Sequence, residues 1–288
     1  MPLGQTDTGR ISALKLLPPA LAQGLVPEGP HLSGASGELL RRIRIVDEYG
    51  DEHGIEVPVE RPLSIQLDER IVATLWTLGG GPEWLVMGYL WTHRLVRDVT
   101  SIESISIDFG LGVAAVRSRG TRAAEHVAGP MGTEPGGALL VREALQLAPL
   151  APRRVARSTV LAILEYPLQD DAVYRRAGSV HGCALFRDAQ LWLRVEDVSR
   201  RNALDTICGW MALHGISGAD KVLYCTGRLT AEVIIKAAFS GIGTIISRKG
   251  VTASCCDLAG RLGMTLFGHA ARGRFSCYAG IERFDPQG

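Results

Sequence analysis

Between Glu196 and Asp205 the chain crowds Glu196, Asp197, Ser199, Arg200, Arg201, Asn202 and Asp205 into one short stretch. An alternating run, Leu191-Trp192-Leu193-Arg194-Val195, precedes it and reads as a strand; an apolar-periodic run, Ala203 to Leu213, follows as a helix. Ligands of open α/β sheets sit at such strand-to-helix junctions. A helix start offers free backbone N–H groups, and two arginines stand beside this one. Together they suit an anion, most simply a phosphate. The same residues would also serve as a salt-bridged helix cap, with Asp197 or Ser199 as the capping residue. The motif alone leaves both readings open.

Three further apolar runs end in polar or basic groups: Thr226-Gly227-Arg228, Ser247-Arg248, and His269 with Arg272 and Arg274. In a parallel sheet these ends share one edge, so basic groups from distant parts of the chain converge there. Arg272 and Arg274 flank Gly273, an arrangement that clamps phosphates. His181, near a strand start, reads equally as a ligand contact or a core histidine.

Positioning these groups requires a particular order of elements. Residues 1–36, rich in proline, glycine and small polar residues, read as a loose arm. Residues 37–116 read as a smaller α+β domain. It has strands over 42–47, 63–68 and 70–75, an extended edge segment over 55–60, and a helix over 83–95 opened by Pro82. A strand over 102–107 is expected to continue into 112–116. Residues 117–169 hold a glycine-rich loop, 129–137, and linker helices over 138–147 and 159–166. Residues 170–288 alternate strands and helices: a hairpin of 180–186 with 191–195, helices over 203–214, 231–240 and 253–262, and strands over 221–225, 243–248 and 264–268. That alternation predicts an α/β fold, a mainly parallel sheet with helices on both faces.

Composition narrows the function classes. The 288 residues are 46% hydrophobic and 21% charged with a net charge of +1, which fits a globular chain and excludes a broad basic surface for nucleic acid. No uncharged apolar run approaches the ~18 residues of a membrane span, and no secretory signal layout is present, so a cytoplasmic location is expected. The six cysteines, Cys183, Cys208, Cys225, Cys255, Cys256 and Cys277, form no CxxC pair and no zinc spacing. They read as reduced thiols, and no metal site is expected.

Taken together, these residues resemble the FdhD/NarQ family of formate dehydrogenase accessory proteins. The likeness runs from about Ile43 to Phe284. Its most specific pieces are Val180 to Leu185, Glu196 to Asp205, Thr226-Gly227-Arg228 with Glu232 and Lys236, Ser247-Arg248 with Thr252, and Leu266 to Tyr278. Glu56 to Glu60 and Glu83 to Leu90 match the family's N-terminal signatures. The resemblance implies a cytidine-deaminase-like C-terminal domain, a homodimer, and a role in sulfurating the molybdenum cofactor, bis-molybdopterin guanine dinucleotide, before it enters the formate dehydrogenase catalytic subunit. It implies a cofactor site at His269, Ala270, Ala271, Arg272, Gly273 and Arg274, with His181, Arg200, Asn202, Arg228 and Arg248 around it and GDP as a fragment ligand. It also implies a cysteine desulfurase as sulfur donor, passing a persulfide to a cysteine pair in a glycine-rich loop.

Here the chain departs from the family. The corresponding loop, Gly129-Pro130-Met131-Gly132, holds no cysteine, and methionine and proline cannot accept sulfane sulfur. Arg201-Asn202 replaces the family's His-Asn dipeptide. Cys183 is a weak candidate for a relocated sulfur carrier, although a cysteine in an apolar strand is usually packing. Cys255 and Cys256 stand at a helix start, where a thiol pKa can fall. Two readings therefore stand: a maturation factor that transfers sulfur, or a binding protein that holds the cofactor as a chaperone. Deaminase activity is excluded, because the zinc signature of that fold's enzymes is absent.

Overall fold

The computed structural model describes residues 12–16, 29–120, 137–166 and 173–288. Two sheets organise them. Of the N-terminal strands, β1 (Leu14–Leu16) leaves for the second sheet, whereas β2 (His31–Leu32) stays in the first. A separate hairpin pairs β3 (Leu40–Val46) with β4 (Glu52–Pro58). Next come β5 (Arg61–Leu67), β6 (Arg70–Thr77), α1 (Pro82–Thr92), β7 (Ile102–Asp108) and β8 (Val113–Ser118). The first sheet has the order β2-β7-β8-β5-β6. Alternation places Leu63, Ile65 and Leu67 of β5 on its inner face, where they pack against Val86, Met87 and Leu90 of α1.

Residues 102–116 are two antiparallel strands and not the continuous strand expected. Asp108 accepts from the N–H groups of Gly110 and Leu111, and Gly112 turns with φ +67°. An acidic turn residue and a left-handed glycine reverse the chain there.

A linker follows: α2 (Gly137–Ala144), β9 (Val155–Ala156), α3 (Arg157–Glu165) and α4 (Val173–Ala177). Of the glycine-rich segment 129–137, residues 129–136 lie outside the described residues. Then come β10 (His181–Arg187), β11 (Gln190–Asp197), α5 (Arg200–Leu213), β12 (Lys221–Cys225), α6 (Ala231–Phe239), β13 (Thr244–Ser247), α7 (Ala253–Arg261), β14 (Thr265–Ala271), β15 (Arg274–Ala279) and β16 (Phe284–Asp285).

The second sheet has the order β1-β11-β10-β12-β13-β14-β15. It is mixed, which corrects the mainly parallel sheet expected. Only β12, β13 and β14 run parallel to one another, and the pairings of β1, β11, β10 and β15 are antiparallel. The physical reason is connection length: short hairpin turns join β10 to β11 and β14 to β15, whereas helices cross over between the parallel strands. One face is covered by α5, α6 and α7, which bury Leu185, Leu193, Leu223, Ile245 and Leu266. The other buries Ala184, Phe186, Tyr224, Ile246 and Phe267 against Val160 and Ile163 of α3 and Phe284. The alternating and helix-separated pattern of this half is the α/β architecture expected.

The described parts of the N-terminal arm are not loose. Leu14 pairs with Val195 at the sheet edge. The Ser33 hydroxyl and Ala35 N–H both donate to Glu83 at the start of α1, at 2.7 and 2.8 Å.

The two sheets join where α1 crosses α5. A Cβ on Gly88 would lie 1.7 Å from the Asp205 carbonyl oxygen, and one on Gly209 would lie 1.9 Å from the Trp84 carbonyl oxygen. Glycine at both positions lets the helix backbones touch. Asp205 also accepts from Thr92 of α1 at 2.8 Å and pairs with the buried Lys236 of α6 at 2.8 Å. We expect Gly88→Ala to force the helices apart and cost about 3 kcal/mol or more, at or beyond the upper end of ordinary overpacking. Gly260→Ala in α7 meets no atom within 4 Å and should be neutral or stabilising. Urea unfolding checks both; equal midpoints for the two variants would contradict this packing.

Candidate functional site

Strand direction gathers the predicted groups at one edge of the second sheet. The C-terminal ends of β11, β12, β13 and β14 and the N-terminal end of β10 all lie there. Hydrogen bonds knit them together. The Thr226 N–H donates to the Gly182 carbonyl at 2.9 Å, and the Gly182 N–H donates to the Thr226 hydroxyl at 3.0 Å. The Arg248 N–H donates to the Cys225 carbonyl at 3.0 Å, and the Ser247 hydroxyl donates to the Gly227 carbonyl at 2.7 Å. The His269 N–H donates to the Lys249 carbonyl at 2.9 Å.

Two concavities open on this edge and meet at Lys249 and His269. The first is a cleft of about 270 Å³ lined by Tyr174, His181, Gly182, Arg194, Glu196, Tyr224, Thr226, Arg248 and Lys249. The second is a wider groove of about 730 Å³ lined by Arg157, His269, Gly273, Arg274, Phe275, Ser276 and Phe284. No acidic side chain lines the groove among the described residues. His269 and Arg272 both adopt left-handed backbone, at φ +50° and +53°, and the β14–β15 register shifts between Gly268 and Ala271. Such a bulge re-aims a side chain out of the ladder, and strain of this kind in non-glycine residues is characteristic of functional sites. Gly250 makes room for the His269 ring: a Cβ there would lie 3.1 Å from Nε2.

The cleft carries the perturbed titrations. Burial, with the positive charge of Arg200 second, pushes the His181 pKa down, so the imidazole is neutral at pH 7. Burial pushes Glu196 up, against the pull of Arg194. Burial also raises Tyr224, against Arg248. A neutral imidazole, a phenol and arginines around one cleft can exchange hydrogen bonds with a polar ligand and attract its negative charge.

The predicted residues divide into three groups. His181, Arg248, His269, Gly273 and Arg274 line the two concavities. Arg200 packs beside Gly227 close enough to influence His181; Arg228 and Arg272 are exposed in the adjoining loops. Asn202 and Ala270 point elsewhere. Asn202 is buried and donates to the Trp76 carbonyl at 2.7 Å and to Asp197 at 3.0 Å, and Ala270 is packed in the core below the groove. In the opening motif Asp197 accepts from the Ser199 N–H two residues on and is not itself the cap of α5. Ser199 itself is the cap residue but makes no side-chain cap bond. Arg201 pairs with Glu232 at 2.7 Å.

Cys183 is among the residues that line the cleft, and it packs into the helix-covered core cluster with the Cys225 sulfur as its neighbour. Tyr224, Lys249 and Arg157 belong to the site and were missed by sequence reasoning. Arg194 left a legible signal, a charge at an otherwise apolar position of its strand. No group of three or more metal-ligating side chains occurs among the described residues, and no described helix is long and apolar enough to cross a membrane.

The FdhD/NarQ family model matches residues 58–285. The chain belongs to the FdhD/NarQ family. Among curated relatives, the sulfur carrier protein FdhD of Halalkalibacterium halodurans is 28% identical over 84% of this chain and 93% of its own. That of Bacillus subtilis is 29% identical over 82% of this chain and 94% of its own. A crystal structure from Desulfotalea psychrophila, provisionally described as a formate dehydrogenase accessory protein, superposes with a TM-score of 0.69. It is 25% identical and covers 85% of this chain and 98% of that one. The likeness therefore extends across both sheets.

His181 gives a direct reading of the site's electrostatics. Its NMR titration midpoint should lie below the ordinary histidine value of ~6.5 and rise in Arg200→Ala, because a neighbouring cation has been removed. An unchanged midpoint in that variant would place Arg200 outside the site.

Proposed function

We propose that this protein is a cytoplasmic formate dehydrogenase maturation factor that binds the molybdenum cofactor, as bis-molybdopterin guanine dinucleotide, along the strand-end edge. It then presents the cofactor to the formate dehydrogenase catalytic subunit. The observation that carries this reading is the convergence of Arg157, His269 and Arg274 on a groove with no acidic lining among the described residues, with Arg272 exposed in the adjoining turn. Family membership gives that groove its context. The donor set fits the group: guanidinium forks bind diphosphate oxygens bidentately, and the left-handed Arg272-Gly273 turn exposes backbone for close approach. Arg157, Arg272 and Arg274 would hold the phosphates; Arg200, Arg228 and Arg248 would extend the positive field toward the cleft, where the neutral His181 would exchange hydrogen bonds with the ligand. The cofactor supplies the molybdenum redox chemistry. The protein binds, orients and shields it, and a homodimer is the assembly expected from the resemblance.

Whether the chain also passes sulfur from a cysteine desulfurase to the cofactor divides two readings. One observation favours the non-catalytic chaperone. Gly129-Pro130-Met131-Gly132 carries no thiol, and burial or hydrogen bonding disfavours the thiolate at five of the six cysteines. The Cys183 thiol is raised well above its usual value by its hydrogen bond to the Cys225 sulfur and by burial. Burial pushes Cys208 and Cys255 up to about 12, and raises Cys256 and Cys277. A sulfane acceptor needs an accessible thiolate.

GDP, as a fragment of the cofactor, tests binding by calorimetry. Arg272→Ala combined with Arg274→Ala should weaken it by about 3 kcal/mol, a loss of roughly a hundredfold, given ~1.5–3 kcal/mol per charge-assisted bond. Unchanged affinity rules out the site. Incubation with a desulfurase and cysteine should leave no stoichiometric persulfide. A persulfide mapped to one cysteine, whose serine variant no longer activates formate dehydrogenase, would establish the sulfurtransferase reading instead.

A further inference from the structure

Cys183 of β10 and Cys225 of β12 stand directly opposite each other on antiparallel strands, with their sulfurs 3.6 Å apart. The neighbouring opposed residues, Gly182 and Thr226, are joined by the Thr226 N–H donating to the Gly182 carbonyl. Alternation then makes Cys183 and Cys225 a non-hydrogen-bonded pair, the register in which Cα atoms come closest, ~4.5 Å. A disulfide spans Cα separations of roughly 4.4–6.8 Å. Both side chains emerge on the same face, in the cluster that contains Leu185, Val195 and Leu223. The other thiols have different surroundings: Cys208 faces the Lys236 carbonyl, Cys277 faces the Ala279 carbonyl, and Cys255 and Cys256 are sequence neighbours on α7.

We propose that Cys183 and Cys225 form a reversible intramolecular disulfide, a modification site under the rim of the ligand cleft, with a peroxide as oxidant. Peroxide oxidises one thiol to a sulfenic acid and leaves as water. The second thiol then attacks the sulfenic sulfur and expels a second water, so two thiols and one hydrogen peroxide give one disulfide and two waters. The rim is coupled to the bond. Cys225 supplies the carbonyl that holds the Arg248 N–H, and Gly182 and Thr226, which line the cleft, are the adjoining residues of the two strands. Drawing the strands together there moves the groups that face the cleft.

The same geometry discharges sulfane sulfur. A persulfide on Cys183 would be attacked by Cys225, giving the disulfide and releasing hydrogen sulfide. The inference stands whichever ligand the cleft takes. Burial keeps the thiolate scarce, so the bridge forms slowly and faster as pH rises.

The test uses the full chain treated with hydrogen peroxide, then denatured and alkylated. The wild type should lose the mass of two hydrogens, show two fewer alkylated thiols, and yield a peptide pair linked through Cys183 and Cys225 that dithiothreitol separates. Cys183→Ser and Cys225→Ser should each lack that pair. If a serine variant fails to fold, the wild-type peptide map decides alone. Full alkylation of both cysteines after treatment, their conversion to sulfinic acid, or a bridge from Cys183 to Cys208 would overturn the proposal.

Discussion

A buried carboxylate fixes where the two sheets meet. Asp197 ends β11 and accepts four hydrogen bonds: from the Thr77 hydroxyl at 2.5 Å, the Leu78 N–H at 3.1 Å, the Ser199 N–H at 3.0 Å and the Asn202 amide at 3.0 Å. Two donors come from the exit of β6 in the first sheet and two from the start of α5 in the second. Burial pushes its pKa up to about 6, and the donors pull it back. A folded value above the unfolded ~3.9 means that this group's contribution declines as pH rises from about 4 to 6 and is constant beyond. At neutral pH the cost of burying the charge is therefore fully present, and the four donors offset only part of it. Every one of them donates, so only a carboxylate satisfies all four.

The rest of the junction follows from that anchor. With the start of α5 held against the end of β6, the glycine crossing of Gly88 and Gly209 brings α1 and α5 into backbone contact. The buried Asp205–Lys236 pair then ties α6 to both. A buried ion pair is weak evidence for stability by itself, but removing one partner strands the other. Its effect here is orientation, because α5 and α6 begin at the strand-end edge. The rigid junction lies beneath the edge, and the groups that line the cleft and the groove stand on the strand ends and the loops that follow them. This division lets strained backbone such as His269 persist.

Periodicity in the sequence was enough to place most helices and strands of the C-terminal half, since alternation and helical spacing there are uninterrupted. It could not separate parallel from antiparallel pairing, because a buried strand reads the same in either direction; the β10–β11 and β14–β15 hairpins made the sheet mixed. The short Asp108–Gly112 turn is hard to read from the sequence, because apolar alternation resumes directly after it at Val113. At the site, arginines after strand ends were legible because direction and exposure follow from the α/β pattern. The faces taken by Asn202 and Tyr224 are not legible in the sequence, because they depend on partners from distant segments, Trp76 for the first and the α3 side of the sheet for the second. Cys183, which reads as strand packing, does lie in the core cluster.

The central claim is that an anionic guanine-nucleotide ligand occupies the strand-end edge. Hydrogen exchange of the protein with and without GDP tests it most directly, because exchange reports where protection appears. The account predicts slowed exchange over 181–183, 226–228, 248–250 and 269–276, with little change in the β3–β4 hairpin. Protection confined to other segments, or none at GDP concentrations that saturate binding by calorimetry, would contradict it.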